Sequence, residues 1–103
     1  MRYEVFFSPL AESQLARLRM YIATRATPEI ADNYVEAVIS CAEDLDMFPH
    51  RGILRDDLRP GLRVISYRKR TSIAFSVDDG KHRVIVLGVA HGGQDYEALF
   101  ADL

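Results

Sequence analysis

A chain of 103 residues, 49% hydrophobic and 27% charged, has the composition of one small globular domain, which argues against a disordered chain and leaves little room for a second unit. A domain this small buries only about two thirds of the surface its unfolded chain exposes, so a deep catalytic cavity is disfavoured and function is expected on a surface or in a shallow groove. No apolar run approaches the roughly 20 residues of a membrane span, and the single Cys41 allows no internal disulfide, so the chain is expected in the cytoplasm without a membrane partner.

The net charge of −2 conceals a segregation of signs. Residues 26–50 carry Glu29, Asp32, Glu36, Glu43, Asp44 and Asp46 and no Lys or Arg, whereas residues 51–70 carry Arg51, Arg55, Arg59, Arg63, Arg68, Lys69 and Arg70 against Asp56 and Asp57. Two readings stay open: oppositely charged solvated faces, or an interface, because the arginine fork pairs carboxylates and phosphates bidentately.

In chain order, Tyr3 to Phe7 reads as a short strand rich in aromatic and β-branched residues. Ser8-Pro9 stops it and opens a helix, serine as N-cap and proline at the first helical position. Ala11, Leu15, Leu18 and Ile22 recur at helical spacing, and the helix is expected to end near Arg25. Thr27-Pro28 repeats the cap-and-proline signal, and Ile30, Tyr34, Val38, Cys41, Leu45 and Phe48 form an apolar stripe for a second helix from about Pro28 to Met47. The short linker between the helices forces an antiparallel hairpin. Cys41 reads as plain core. Glu43, Asp44 and Asp46 crowd the negative end of that helix, so either Arg51 and Arg55 fold back on them or a partner's basic segment docks there.

Residues 49–61 read as a loop with two prolines and two glycines. Strands are predicted over Leu62–Arg68, Thr71–Val77 and Arg83–Ala90, with Lys69-Arg70 as the first tight connection. Asp78-Asp79-Gly80-Lys81 is predicted as a hairpin whose Asp-Gly supplies the positive φ. The last strand is apolar at nearly every position from Val84 to Val89 and should be central. Gly92-Gly93 breaks it, and Gln94–Asp102 forms a short terminal helix. The expected fold is a single α+β domain over residues 1–103: a two-layer β-α-α-β-β-β arrangement, a helical hairpin packed on an antiparallel sheet, the place of the first strand left open.

Three local signatures sit on this layout: Phe48-Pro49 followed by Gly52, Pro60-Gly61-Leu62-Arg63, and Val86-Leu87-Gly88-Val89-Ala90-His91-Gly92 with Asp95. At these separations the chain resembles the ParE/RelE toxin superfamily over nearly its whole length, closer to the ParE branch. That resemblance implies the toxin of a type II toxin–antitoxin system, a ParD-like antitoxin that wraps it, and one of two targets. The ParE branch inhibits DNA gyrase; the RelE branch cleaves messenger RNA on the ribosome. By the same resemblance Ser72 or Thr71 stands where a cleaving relative places a strand arginine, and Gly92 where several place a terminal tyrosine, and both are inert for that task. No catalytic residue is therefore assigned, and no cofactor or metal, since three histidines and one cysteine lie at no ligand spacing.

The gyrase reading places the antitoxin on a groove between helix one and the sheet, with Leu18, Tyr21 and Ile22 as its floor and Arg63 and Arg83 holding carboxylates at its edge. Target contact is expected from His91, Asp95, Tyr96, Leu99 and Phe100, although Leu99 and Phe100 also fit a plain cover for the core edge. No sequence-specific DNA binding by this chain alone is expected. The alternative is a ribosome-dependent endoribonuclease that pairs His50 with His91 as acid and base and uses Arg63, Arg83 or Arg51 as the cation.

Overall fold

The computed structural model describes residues 2–103. Strand β1 spans Glu4–Phe7, helix α1 Pro9–Arg25 and helix α2 Pro28–Glu43, followed by a 3-10 turn at Asp44–Asp46. Strands β2 (Ile53–Leu54), β3 (Arg63–Tyr67), β4 (Thr71–Asp78) and β5 (Arg83–His91) precede helix α3 (Tyr96–Ala101). The caps work as their residue types dictate. Ser8 Oγ accepts from the Ala11 N–H at 3.1 Å, Thr27 Oγ1 from the Ile30 N–H at 3.1 Å, and the Asp95 carboxylate from the Ala98 N–H at 3.2 Å.

The five strands lie in the order β1-β5-β4-β3-β2. Strands β2 to β5 are antiparallel, but β1 runs parallel to β5, with Glu4 opposite Arg83 and Phe7 opposite Val86, so the sheet is mixed. Strand β2 lies within the segment expected as loop and pairs through Ile53 and Leu54 with Val64 and Arg63. Strand β5, expected to be central, is interior but second from the edge, between β1 and β4; β4 holds the middle of the sheet.

Helices α1 and α2 cover one face of the sheet. Leu15, Leu18, Val35, Val38 and Leu45 meet Ile73, Phe75, Val84, Val86 and Val89 there. The stripe of α2 is turned by about one position from its sequence reading. Ala31, Val35, Val38 and Ala42 are its buried residues, whereas Ile30 is 53% exposed and, beyond the 3-10 turn, Phe48 is 64% exposed. Small alanines at the contact let helices approach closely, and a pattern scored by hydrophobic bulk passes over them. Because side chains alternate along each strand, the opposite face carries its own cluster of Leu62, Val64, Ala74, Ala90 and Phe100, covered by α3. The helix layer thus has a small counterpart beyond the sheet.

Two turns and one charge cluster differ from expectation. The tight connection of β3 to β4 turns on Arg68 and Lys69, at φ 52° and 56°, with the Arg70 N–H donating to the Tyr67 carbonyl at 3.1 Å. In the β4–β5 hairpin the left-handed residue is His82, at φ 53°, and Asp79-Gly80 does not supply it. Arg55 does not fold back on the end of α2. Its guanidinium chelates Asp57 at 2.9 and 2.8 Å, donates to the Tyr96 hydroxyl at 3.0 Å and bonds Glu97, so it ties the β2–β3 segment to α3. Arg51 lies over the Phe48 ring, and Asp46 is met by Arg2 at 3.8 Å. Among the described residues no helix is long and apolar enough to cross a membrane.

Candidate functional site

Strand β1 ends opposite Val86, so beyond that point β5 has no strand on its outer side. The register between β4 and β5 slips at the same place, Ala74 facing Gly88 while Phe75 faces Val86, which leaves Leu87 unpaired. Helix α1 satisfies the freed backbone: Ser8 Oγ donates to the Leu87 carbonyl at 3.2 Å, and Gln14 Oε1 accepts the Val89 N–H at 2.6 Å. A shallow pocket of about 410 Å³ opens where the helix leans on this free edge. Gln14, Arg17, Leu18 and Tyr21 line it from α1, Val89, His91, Gly92, Gly93 and Gln94 from the end of β5, and Leu99 from α3.

His91 is the polar centre of this end of the fold. Its Nδ1 is 2.7 Å from Thr71 Oγ1, which is itself 2.7 Å from the Tyr34 hydroxyl, so the two hydroxyls and the imidazole form one chain. Thr71 is fully buried, and its two partners satisfy it. Tyr21 and Tyr34 meet the imidazole edge-on, with ring centroids at 6.0 and 5.6 Å. Burial, and then the charge of Arg70, hold the His91 imidazole below its ordinary pKa.

That shift has a sign in stability. The unfolded imidazole, titrating near 6.5, takes up a proton before the folded one does. The fold therefore loses stability as the pH falls through about 6.5, and the loss is complete below the depressed folded value. Urea denaturation at a series of pH values between about 7.5 and about 5 checks this. His91→Gln should flatten the part of the profile around pH 6, and an unchanged profile would reject the assignment.

The second histidine of the proposed pair is elsewhere. His50 Nε2 is 2.8 Å from Asp79 Oδ1, which also accepts from the Tyr3 hydroxyl at 2.7 Å, and Asp79 belongs to the β4–β5 turn. The hydrogen bond from Tyr3, then the charge of His50, hold the Asp79 carboxyl below the usual carboxylate range. His50 and His91 thus stand at opposite ends of β5, a nine-residue strand spanning about 26 Å at roughly 3.3 Å per residue.

The other expected residues also separate. Leu18 is buried at the pocket wall and Tyr21 is half exposed there, but Ile22 packs into the core beneath. Arg63 Nη1 donates to the His50 carbonyl at 3.1 Å, and Arg83 lies over the Phe6 ring, both away from the pocket. Of the tail residues, His91 and Leu99 reach the pocket. Asp95 caps α3, Tyr96 is held by Arg55, and Phe100 is fully buried on the far face. Gln14 and Arg17 are not singled out by the sequence reading, yet residues 14, 17, 18 and 21 follow the i, i+3, i+4, i+7 pattern that puts all four on one helical face. The Tyr34–Thr71 contact spans 37 residues and left no local signal. Among the described residues no group of three His, Cys, Asp or Glu is placed to hold a metal.

Residues 5–96 match the family described as the ParE toxin of the type II toxin–antitoxin system parDE. The chain belongs to that family. Its fold is shared with solved toxins of two kinds. A chain of the chromosomal ParDE system from P. aeruginosa is 17% identical, with TM-score 0.76, covering 88% of this chain and 97% of that one. A mutant of the E. coli toxin RelE in the free state is 18% identical, with TM-score 0.70 and coverage of 99% and 96%. A chain of the RelBE2 toxin–antitoxin complex from Mycobacterium tuberculosis is 23% identical, with TM-score 0.62 and coverage of 88% and 99%. No curated protein is significantly similar in sequence. At these identities the structures share the α+β fold of three helices on a five-stranded sheet with this ParE-family toxin, and the fold is common to both branches.

Proposed function

We propose that this ParE-family toxin inhibits DNA gyrase by contact and that a ParD-like antitoxin neutralises it. The observation that carries the reading is the separation of His50 from His91 by the length of β5, which leaves neither imidazole an acid–base partner of its own kind. His91 is instead engaged by buried Thr71. The strand cation that RNA cleavage requires is also missing at Thr71 and Ser72, one buried and one partly buried on β4.

The pocket supports a definite mode of neutralisation. Leu18 and Tyr21, assigned to the antitoxin, and His91 and Leu99, assigned to the target, line the same hollow. An antitoxin segment with an apolar anchor on Leu18 and Leu99 and a carboxylate on Arg17 would cover the target-binding residues directly. Ile22, Arg63 and Arg83 lie outside the hollow, and only a segment that continues along the sheet reaches the two arginines.

Supercoiling by purified gyrase, run beside cleavage of ribosome-bound messenger RNA, tests the reading. Supercoiling should fall in proportion to added toxin, recover with antitoxin, and be accompanied by no RNA scission. Specific scission that disappears in folded His91→Ala protein would assign the chain to the nuclease branch instead.

A further inference from the structure

The β3–β4 turn is built against local preference. A two-residue turn with both central residues at positive φ favours Asn-Gly, yet this one places Arg68 and Lys69 at φ 52° and 56° and follows them with Arg70. Left-handed backbone costs a residue with a Cβ about 1–2 kcal/mol, and these exposed side chains return no core packing for it. Strain of this kind is held where the side chains have a task.

The surroundings indicate what the task is. Arg70 is close enough to His91 to depress its titration, and the Gly92 N–H bonds the Arg70 carbonyl at 2.8 Å, so the turn adjoins the pocket. Arg17 lines that pocket, and Arg25 lies 3.8 Å over the Tyr21 ring beside His91. Among the described residues no carboxylate is within ion-pair distance of Arg17, Arg25, Arg68, Lys69 or Arg70, and Asp32 at the start of α2 is taken by Arg19 at 3.1 Å. A chain of net charge −2 therefore presents, at one end, five cations that no carboxylate neutralises.

We infer that this end of the molecule, the strained Arg68-Lys69-Arg70 turn with Arg25 and Arg17, binds the phosphate backbone of duplex DNA without reading its sequence. Duplex is favoured over single strands by the aromatic rings. Unpaired bases need free ring faces to stack on, but Arg25 covers the face of Tyr21, Arg68 lies 5.5 Å over that of Tyr67, and Tyr34 is packed edge-on between Tyr67 and His91. What remains outward is guanidinium and ammonium, which take phosphate oxygens. The inference goes beyond gyrase inhibition and does not depend on it, because DNA alone is the probe.

The test is fluorescence anisotropy with a labelled duplex of about 20 base pairs, between about 50 and 200 mM salt. Five engaged phosphates, one for each cation, would give a slope of log K against log salt of roughly −4.5. Arg68→Asn with Lys69→Gly replaces the strained pair by the residues the turn prefers, so this variant should melt no lower than wild type. It should nonetheless bind at least about tenfold more weakly at 100 mM salt, with the slope reduced by roughly two. Arg70→Gln, which leaves the turn residues alone, should reduce the slope by about one. Wild-type affinity and slope in both variants would overturn the inference, and so would single-stranded RNA of equal length binding as tightly as the duplex.

Discussion

Phe100→Ala removes about 3–5 kcal/mol of stability and frees α3 from the sheet. Phe100 is fully buried against the far face, within a cluster of Leu62, Val64, Ala74 and Ala90, where its ring also meets Tyr96 at a centroid distance of 5.7 Å. A helix of six residues has no stability of its own, so its place depends on that anchor and on the Arg55 bonds to Tyr96 and Glu97. For a domain of this size the loss should lower the melting temperature by more than about 10 °C. Thermal unfolding followed by circular dichroism measures it, and a shift below about 3 °C would show that the sheet closes without this ring. Truncating the tail therefore removes the Phe100 anchor together with Leu99, whereas a change at Leu99 alone alters the pocket wall and leaves that anchor in place.

Gly52→Ala is the second large effect. At φ 83° the residue occupies the left-handed region, and a Cβ there would sit 2.5 Å from the Val64 carbonyl oxygen and 2.6 Å from Ile65 Cγ2. The side chain of Ile65 can give way, but the carbonyl belongs to β3, so the chain entering β2 must move. Left-handed strain and steric overlap together cost about 2–4 kcal/mol. Because β2 is a two-residue edge strand, the expected response is detachment of that edge. Amide exchange at Arg55, whose N–H donates to the Leu62 carbonyl at 2.7 Å, should accelerate well before the core amides of β4 and β5 respond. Protection of Arg55 equal to wild type would refute this.

What could be read from the sequence was what neighbours in sequence decide. Ser8-Pro9 and Thr27-Pro28 mark both helix starts because a capping hydroxyl acts on an N–H three residues on. The apolar run from Val84 to Val89 marks a strand inside the sheet, because cover on both faces favours apolar residues, although β4 and not β5 takes the middle place. What escaped depends on distant partners. Nothing in Glu4 to Phe7 states that they lie parallel to β5, and Ile53-Leu54 is too short to declare itself a strand. The stripe of α2 was assigned to Ile30 and Phe48 rather than Ala31 and Ala42, since close helix packing selects small residues. Of the ten residues that line the pocket, the sequence singles out four: Leu18, Tyr21, His91 and Leu99. Thr71, Tyr34 and Gln14 were not visible, because each acts through a hydrogen bond to a remote element.

The parallel pairing of β1 with β5 bears on how the protein comes into being. The Ser8 hydroxyl and its Leu87 acceptor are 79 residues apart, so the first strand has no mate until nearly the whole chain has left the ribosome. The helical hairpin can form early from local contacts, while Val5 and Phe7 wait with their apolar sides uncovered. Closure of so long a loop is slow, and the hollow beside His91, framed by α1 and the end of β5, exists only after it. The residues of that hollow thus come together late, and until they do Val5 and Phe7 keep apolar surface open to water.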